Sequence, residues 1–337
     1  MTPKALFIGG SLNQTTMMHK IASCLPEFDA FFTPFYAEGG LGLLAKGGLL
    51  KHSILGGRHR MATLEYLKDQ RLLVDEGGRQ HPYDLVVTGT DLIVQSNIRK
   101  KRLVLVQEGI TEPEDFSLPL VKTFKLPRYL ANTAATGLSD AYDLFCVASP
   151  GYRDLFIRKG ARPEKIVVTG IPNFDHATEA LNNDFPYRDY VLVATSSIRE
   201  TGKPDDRAGF LRKVARIAGN RQVLVKLHPN ENIRRAEAEI RAQLPGAKIF
   251  RTGNTNAMVA NCAVLITQVS SVVFVGIALG KEVHSYFDLE QLRRLAPIQN
   301  QGASAAHIAQ VCRVLADIPL AELRPKPARR LLTPEWL

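Results

Sequence analysis

Three short clusters carry the side chains best suited to chemistry: Gln107-Glu108-Gly109, Lys226-Leu227-His228-Pro229 and Gln268-Val269-Ser270-Ser271. Each follows an apolar, β-branched run, so each is expected where a strand ends. A carboxylate at such a mouth, followed by glycine, can be partly desolvated, which raises its pKa toward the range of a general base. Glu108 is the candidate base; a purely structural carboxylate is the competing account. Ser270 and Ser271 open an apolar helical run, where hydroxyls, free backbone N–H groups and the helix dipole together favour an anion, above all a phosphate. His228 adds an imidazole; a satisfied structural histidine is its alternative.

These clusters need a scaffold that brings strand ends together. The runs at 223–225 and 264–267 read as buried parallel strands, as do 5–8, 84–89, 103–106, 166–169 and 190–194. Further strands are expected at 248–250 and 283–287. Amphipathic or apolar segments between them predict helices, including 151–159, 210–218, 233–244, 254–260 and 305–315. Alternating strands and helices imply open α/β sheets, whose ligands sit at the carboxyl ends of the strands. Residues 173–189, with Pro186 and little periodicity, form the expected linker. This divides the chain into 1–172, a linker at 173–189, a second unit at 190–320 and a basic tail at 321–337.

Other strand ends are secondary candidates. Gly10 and Ser11 follow the first strand, where the glycines make either a ligand approach or a plain turn. Thr195 and Ser196 open a loop that runs through Lys203 and meets either a diphosphate or solvent. Asp91 ends the strand at 84–89. The segment 38–60, rich in glycine and basic residues, predicts a helix plus a loop beside a cleft. Asp205-Asp206 is read as a solvated acidic pair, so no metal site is expected.

With 337 residues, 45% of them hydrophobic, the chain can bury a substantial core. The 43 basic against 33 acidic residues give +10, which favours anionic partners. Nucleic acid is not expected, because aromatics are only 7% and do not interleave with runs such as Arg99-Lys100-Lys101-Arg102. Cys24, Cys146, Cys262 and Cys312 lack metal or redox spacing and fit free thiols in a reducing cytoplasm. No apolar run approaches the roughly 20 residues of a membrane span, so membrane contact is expected to be peripheral, with the cations at 324–330 meeting either an anionic surface or water.

The order of elements resembles the GT-B glycosyltransferase architecture, two Rossmann-like domains facing across a cleft, and the stretch VVTGIP is similar to its domain-closing strand. Three motifs sharpen the resemblance to bacterial sialyltransferases and Kdo transferases, which use CMP-sugars: Glu108-Gly109 for an acidic-glycine motif, His228-Pro229 for a His-Pro motif, and Ser270-Ser271 for a serine pair. CDP-glycerol glycerophosphotransferases also resemble the second half. Gln107 departs from the pattern, standing where the motif has its first acid. The resemblance implies transfer from a nucleotide-sugar to a glycan or lipid-linked acceptor, without metal or other cofactor. Glu108 would be the base, and Thr195, Ser196, Lys226, His228, Pro229, Gln268, Ser270 and Ser271 would surround the donor. Gly10, Ser11, Asp91 and Gln107 would lie on the acceptor side. Two other readings compete: a UDP-N-acetylglucosamine 2-epimerase-like enzyme, and a nucleotide or polyanion binder without catalysis.

Overall fold

The computed structural model describes residues 2–47, 55–111, 117–124, 126–202 and 204–323. Lys203, part of the glycine-rich segment and the basic tail from 324 lie outside the described residues. The chain runs β1 (Lys4–Gly9), α1 (Leu12–Ser23), β2 (Asp29–Pro34), α2 (Gly39–Lys46), α3 (Gly57–Asp69), β3 (Leu73–Val74), β4 (Leu85–Thr88), β5 (Arg102–Val106), α4 (Ser117–Thr123), β6 (Leu144–Val147), α5 (Pro150–Lys159) and β7 (Ile166–Val168). It continues with β8 (Tyr190–Ala194), α6 (Arg207–Ala218), β9 (Val223–Lys226), α7 (Ile233–Gln243), β10 (Lys248–Phe250), α8 (Thr255–Asn261), β11 (Cys262–Thr267), α9 (Val272–Ala278), β12 (Glu282–His284), α10 (Leu289–Leu295), α11 (Ser304–Asp317) and α12 (Leu320–Leu323).

The strands form two sheets, ordered β3-β2-β1-β4-β5-β6-β7 and β10-β9-β8-β11-β12. Every pairing is parallel. In a parallel sheet covered by helices both strand faces are buried, which is why β4 and β8 are continuous apolar runs without alternation. In each sheet the chain first builds outward from a central strand and then returns to its other side. The reversal points are β1/β4 and β8/β11, where the loops leaving neighbouring strands diverge and open a crevice.

Helix ends are marked locally. Ser11 caps α1 by accepting the Gln14 N–H, Ser149 caps α5, and Gly160 ends α5 at φ 106°, a left-handed conformation that suits glycine. One apolar core joins the two sheets, with Phe145, Tyr152 and Phe156 continuous with Tyr190, Phe274 and Leu295. Tyr152 meets Phe274 edge-on at 6.3 Å.

The structure moves two expected boundaries. Helix α11, assigned above to the second unit, packs on the first sheet: its Ala305, Ile308, Cys312 and Leu315 share a core with Phe7, Met17 and Val104. An apolar helix face goes where an uncovered sheet face remains, whatever its position in sequence. The chain therefore crosses between the sheets twice, at 173–189 and again before α11. The crossings are tied together: Asp175, fully buried, accepts from Ser304 N at 2.8 Å, and Gln299 Nε2 donates to Phe174 O at 2.6 Å. The last strand is also shorter than expected, closing at His284 because Ser285 and Tyr286 turn back to bond the Gln268 carbonyl. Among the described residues no helix is long and apolar enough to cross a membrane.

Candidate active site

Glu108 stands just beyond β5, two strands from the end of β1 in the sheet order. The turn after β1 reaches across to it. Ser11 Oγ donates to Glu108 Oε1 at 2.8 Å and Gln14 Nε2 donates to Oε2 at 2.6 Å. Gln14 is itself oriented, because its Oε1 accepts the Gly10 N–H at 2.7 Å and only an oxygen can face that donor. Each carboxylate oxygen thus has one donor and keeps lone-pair capacity for a proton. Gly10 and Ser11 act here as positioning groups. Glu108 borders a cavity of about 290 Å³ with Gln14, Thr90, Gly109, Thr133 and Thr136.

On the facing sheet, Thr195, Lys226, His228, Pro229, Ser270 and Ser271 all line a second cavity of about 390 Å³. These side chains come from the ends of β8, β9 and β11, the reversal point of that sheet. The two cavities adjoin: Asn13, Phe174 and Ser271 line both. The loop after Glu108 passes close over α9, since a β-carbon on Gly109 would lie 3.4 Å from Phe174 and 3.9 Å from Ser271 Cβ.

His228 is half-buried, and its pKa is held below the ordinary 6.5 chiefly by burial; the Glu231 and Glu200 charges oppose this, and those of Lys226 and His59 add to it. Its Nδ1 accepts the Asn230 N–H at 3.1 Å, which puts the proton of the neutral ring on Nε2. Nε2–H is then the free donor. Ser270 Oγ accepts only a long 3.4 Å contact from Val272 N, and the Ser271 hydroxyl caps nothing in α9, so both remain able to donate outward.

Beneath the His-Pro loop lies a buried ionic network that the sequence does not announce. Glu231 accepts from Arg207 NH2 at 2.7 Å, from His228 N at 3.0 Å and from the Thr195 hydroxyl. Arg207 also faces Asp205 at 3.2 Å, and all three charged side chains are at most 3% exposed. Asp205 is therefore a buried counter-ion and not a solvated acid, while Asp206 caps α6. Among the described residues no cluster of three or more His, Cys, Asp or Glu is arranged to hold a metal.

Several expected site residues serve the framework. Asp91 is fully buried and accepts from Gly137 N and Ser139 N, both at 2.9 Å; burial raises its pKa, and its carboxylate staples two loops. Gln107 touches the first cavity, yet its amide is engaged between Ala148 N and Gly109 O. Ser196 is buried, with its hydroxyl donating to Val269 O and accepting from Val269 N, so it fixes the serine loop from behind. Gln268 is fully buried and bonds Asp205 and Tyr286. Thr195 and Lys226 border the second cavity, but the threonine hydroxyl holds the His-Pro loop and the Lys226 ammonium donates to Leu227 O at 2.8 Å. Burial lowers the pKa of Lys226. Conversely, Asn13, Asn173, Phe174 and Asn256 line the second cavity without having been singled out. Only Asn13, beside Gly10-Ser11, had a local signal.

No protein-family model matches this sequence, and no curated protein matches it. Solved structures do. The chain is similar to a putative UDP-N-acetylglucosamine 2-epimerase from Listeria monocytogenes at 12% identity, over 91% of this chain and 95% of that one, with a TM-score of 0.55. The UDP-GlcNAc 2-epimerase of Neisseria meningitidis, bound to UDP-GlcNAc, matches at 12% identity over 91% and 99%, also at 0.55. A variant of the wall teichoic acid polymerase TagF matches at 10% identity over 94% and 89%, at 0.52. The fold is GT-B. At such identities the likeness speaks for the architecture, and the reaction has to be argued from the site.

Proposed function

We propose that this GT-B protein is a glycosyltransferase that moves a sugar from a nucleotide-activated donor, a CMP-sugar in the favoured form, to a hydroxyl of a glycan or lipid-linked acceptor. One observation carries the reading: a carboxylate held by two donors and a cavity lined by an imidazole and two serine hydroxyls adjoin across Ser271, Asn13 and Phe174. The donor phosphate would sit against His228 Nε2–H, Ser270 and Ser271. The acceptor would enter beside Glu108. Glu108 takes the acceptor hydroxyl proton as that oxygen bonds the anomeric carbon, and the bond from that carbon to the phosphate oxygen breaks, leaving its electron pair on the nucleotide. Preformed donors aimed at the developing charge lower the barrier, so transfer without a metal is part of the proposal.

An epimerase acting on one hexose needs acid and base groups around the sugar beside the nucleotide. The described residues lining the second cavity include no carboxylate, and Glu231, behind the His-Pro loop, is closed in by Arg207. A cytoplasmic enzyme with peripheral membrane contact fits the chain.

The test is a thermal-shift screen with CMP, CDP, UDP and GDP. A nucleotide at 100 times its Kd stabilises by about 2.7 kcal/mol, or about 4 °C for a chain of this length. A cytidine nucleotide is expected to give that shift and Ser271→Ala with His228→Ala to abolish it. A response to UDP alone, with sugar isomerisation in the absence of acceptor, would overturn the reading in favour of the epimerase.

A further inference from the structure

Transfer by the proposed route fixes where the sugar must lie. Its anomeric carbon stays bonded to the phosphate in the second cavity until the acceptor oxygen, deprotonated by Glu108, attacks from the first. The sugar ring therefore spans the junction, which three residues line from both sides: Asn13, Phe174 and Ser271. Ser271 is given to the phosphate, and Phe174 offers an apolar surface, its ring edge-on to Phe274 at 6.2 Å. Asn13 is left as the polar group that faces the sugar.

Local structure holds it there. Ser11 and Gln14, three positions apart at the start of α1, lie on one side of the chain and both bond Glu108. At about 100° per residue the helix turns Asn13 away from that side. Its backbone oxygen accepts from Thr16 Oγ1 and from Asn173 Nδ2 on the first crossing, both at 3.0 Å. The residue is exposed, and its carboxamide has no hydrogen-bond partner among the described residues. A carboxamide both donates and accepts, as do the hydroxyl and acetamido groups of a pyranose. We propose that Asn13 hydrogen-bonds the transferred sugar, with the apolar wall of Phe174 beside it, and so distinguishes a nucleotide-sugar from the bare nucleotide. The inference rests on the proposed function, which assigns no residue to the sugar itself.

The experiment is isothermal titration calorimetry of the full chain with paired probes: CMP and CMP-N-acetylneuraminate, UDP and UDP-N-acetylglucosamine, GDP and GDP-mannose. Wild type is expected to bind both members of one pair. Asn13→Ala should weaken the sugar form about three- to tenfold, the worth of a neutral hydrogen bond, and the bare nucleotide by less than about twofold. Asn256→Ala, on the second cavity alone, should leave the ratio of the two affinities unchanged. The melting temperature of Asn13→Ala should stay within about 1 °C of wild type, because the lost carboxamide bonds nothing in the fold; a larger drop would make Asn13 a structural residue. An unchanged affinity of Asn13→Ala for the sugar form, equal weakening of both members of the pair, or a ratio that moves with Asn256→Ala would each overturn the inference and leave the transferase reading standing. Binding of none of the six probes would sink that reading, and the role of Asn13 with it.

Discussion

Replacing Glu231 by glutamine puts an amide where the fold has built a site for an acceptor alone. The carboxylate meets Arg207 NH2 on one oxygen, and His228 N and the Thr195 hydroxyl on the other. Glutamine can turn its oxygen to Arg207, but its NH2 then confronts the His228 N–H, donor against donor. Thr195 adapts by giving its proton to Lys226 O, 3.3 Å away, and still accepts the His228 N–H at 2.9 Å, so the larger cost falls on Arg207. Arg207 also loses one of two counter-ions at 3% exposure. Removing one partner of a buried ion pair costs about 3–5 kcal/mol, and because Asp205 remains the estimate is about 3 kcal/mol. With an unfolding entropy of about 2.1 cal/mol/K per residue, that lowers the melting temperature by about 4 °C if the chain unfolds as one, and by about 12 °C if the second sheet and its helices unfold alone. Calorimetry decides it, with Glu237→Gln, in a surface pair with Arg251, as a control expected to shift by less than about 1 °C. A second readout is the His228 ring. The Glu231 charge works against burial to raise its pKa, so the variant titrates lower still by NMR. A Glu231→Gln protein that melts within about 1 °C of wild type, with His228 unmoved, would refute the network as support for the His-Pro loop.

Other expectations follow from the same geometry. Glu108→Gln should lower turnover by about 10²–10⁴-fold, about 2.7–5.4 kcal/mol of barrier, while leaving nucleotide affinity unchanged because Glu108 lines the other cavity; a parallel loss in nucleotide binding would contradict its assignment. Gln14→Leu removes one of the two donors that aim that carboxylate and should reduce kcat with KM retained; steady-state kinetics showing the reverse split would place Gln14 in binding. The pH dependence of stability has a defined sign. His228 has a folded pKa below its unfolded 6.5, so its contribution is complete above pH 6.5 and is lost as pH falls toward the folded value. Urea unfolding of His228→Asn should accordingly show a flatter slope below pH 6.5, and an unchanged slope would assign the acid sensitivity elsewhere. Gly151→Ala would set a β-carbon 1.9 Å from the Arg294 carbonyl oxygen, where α5 of the first unit abuts α10 of the second. A cost of about 1–3 kcal/mol is expected, read as a lower urea midpoint; an unmoved midpoint would mean that the junction yields freely.

The sequence alone determined the alternation of strands and helices and the three clusters at strand ends. Both are local properties: β-branched runs such as Val264-Leu265-Ile266, and polar residues immediately beyond them, declare a buried parallel strand and its mouth wherever the strand is placed. That much led to Glu108, His228, Ser270 and Ser271. Strand β2, Asp29–Pro34, was not legible because its aromatic pair lacks a clean period, and the 3-10 stretch at 128–135 has no pattern of its own. Tertiary structure decided which polar residues at the mouths remained free. Asp91, Gln107, Ser196 and Gln268 look like site residues in one dimension, yet each finds backbone or buried charge from a distant segment and is closed off. It also decided that α11 crosses back to the first sheet and that Arg207 and Asp205 brace Glu231. These outcomes depend on which surfaces meet once the chain has folded, and a burial partner from a separate segment leaves no mark on local periodicity.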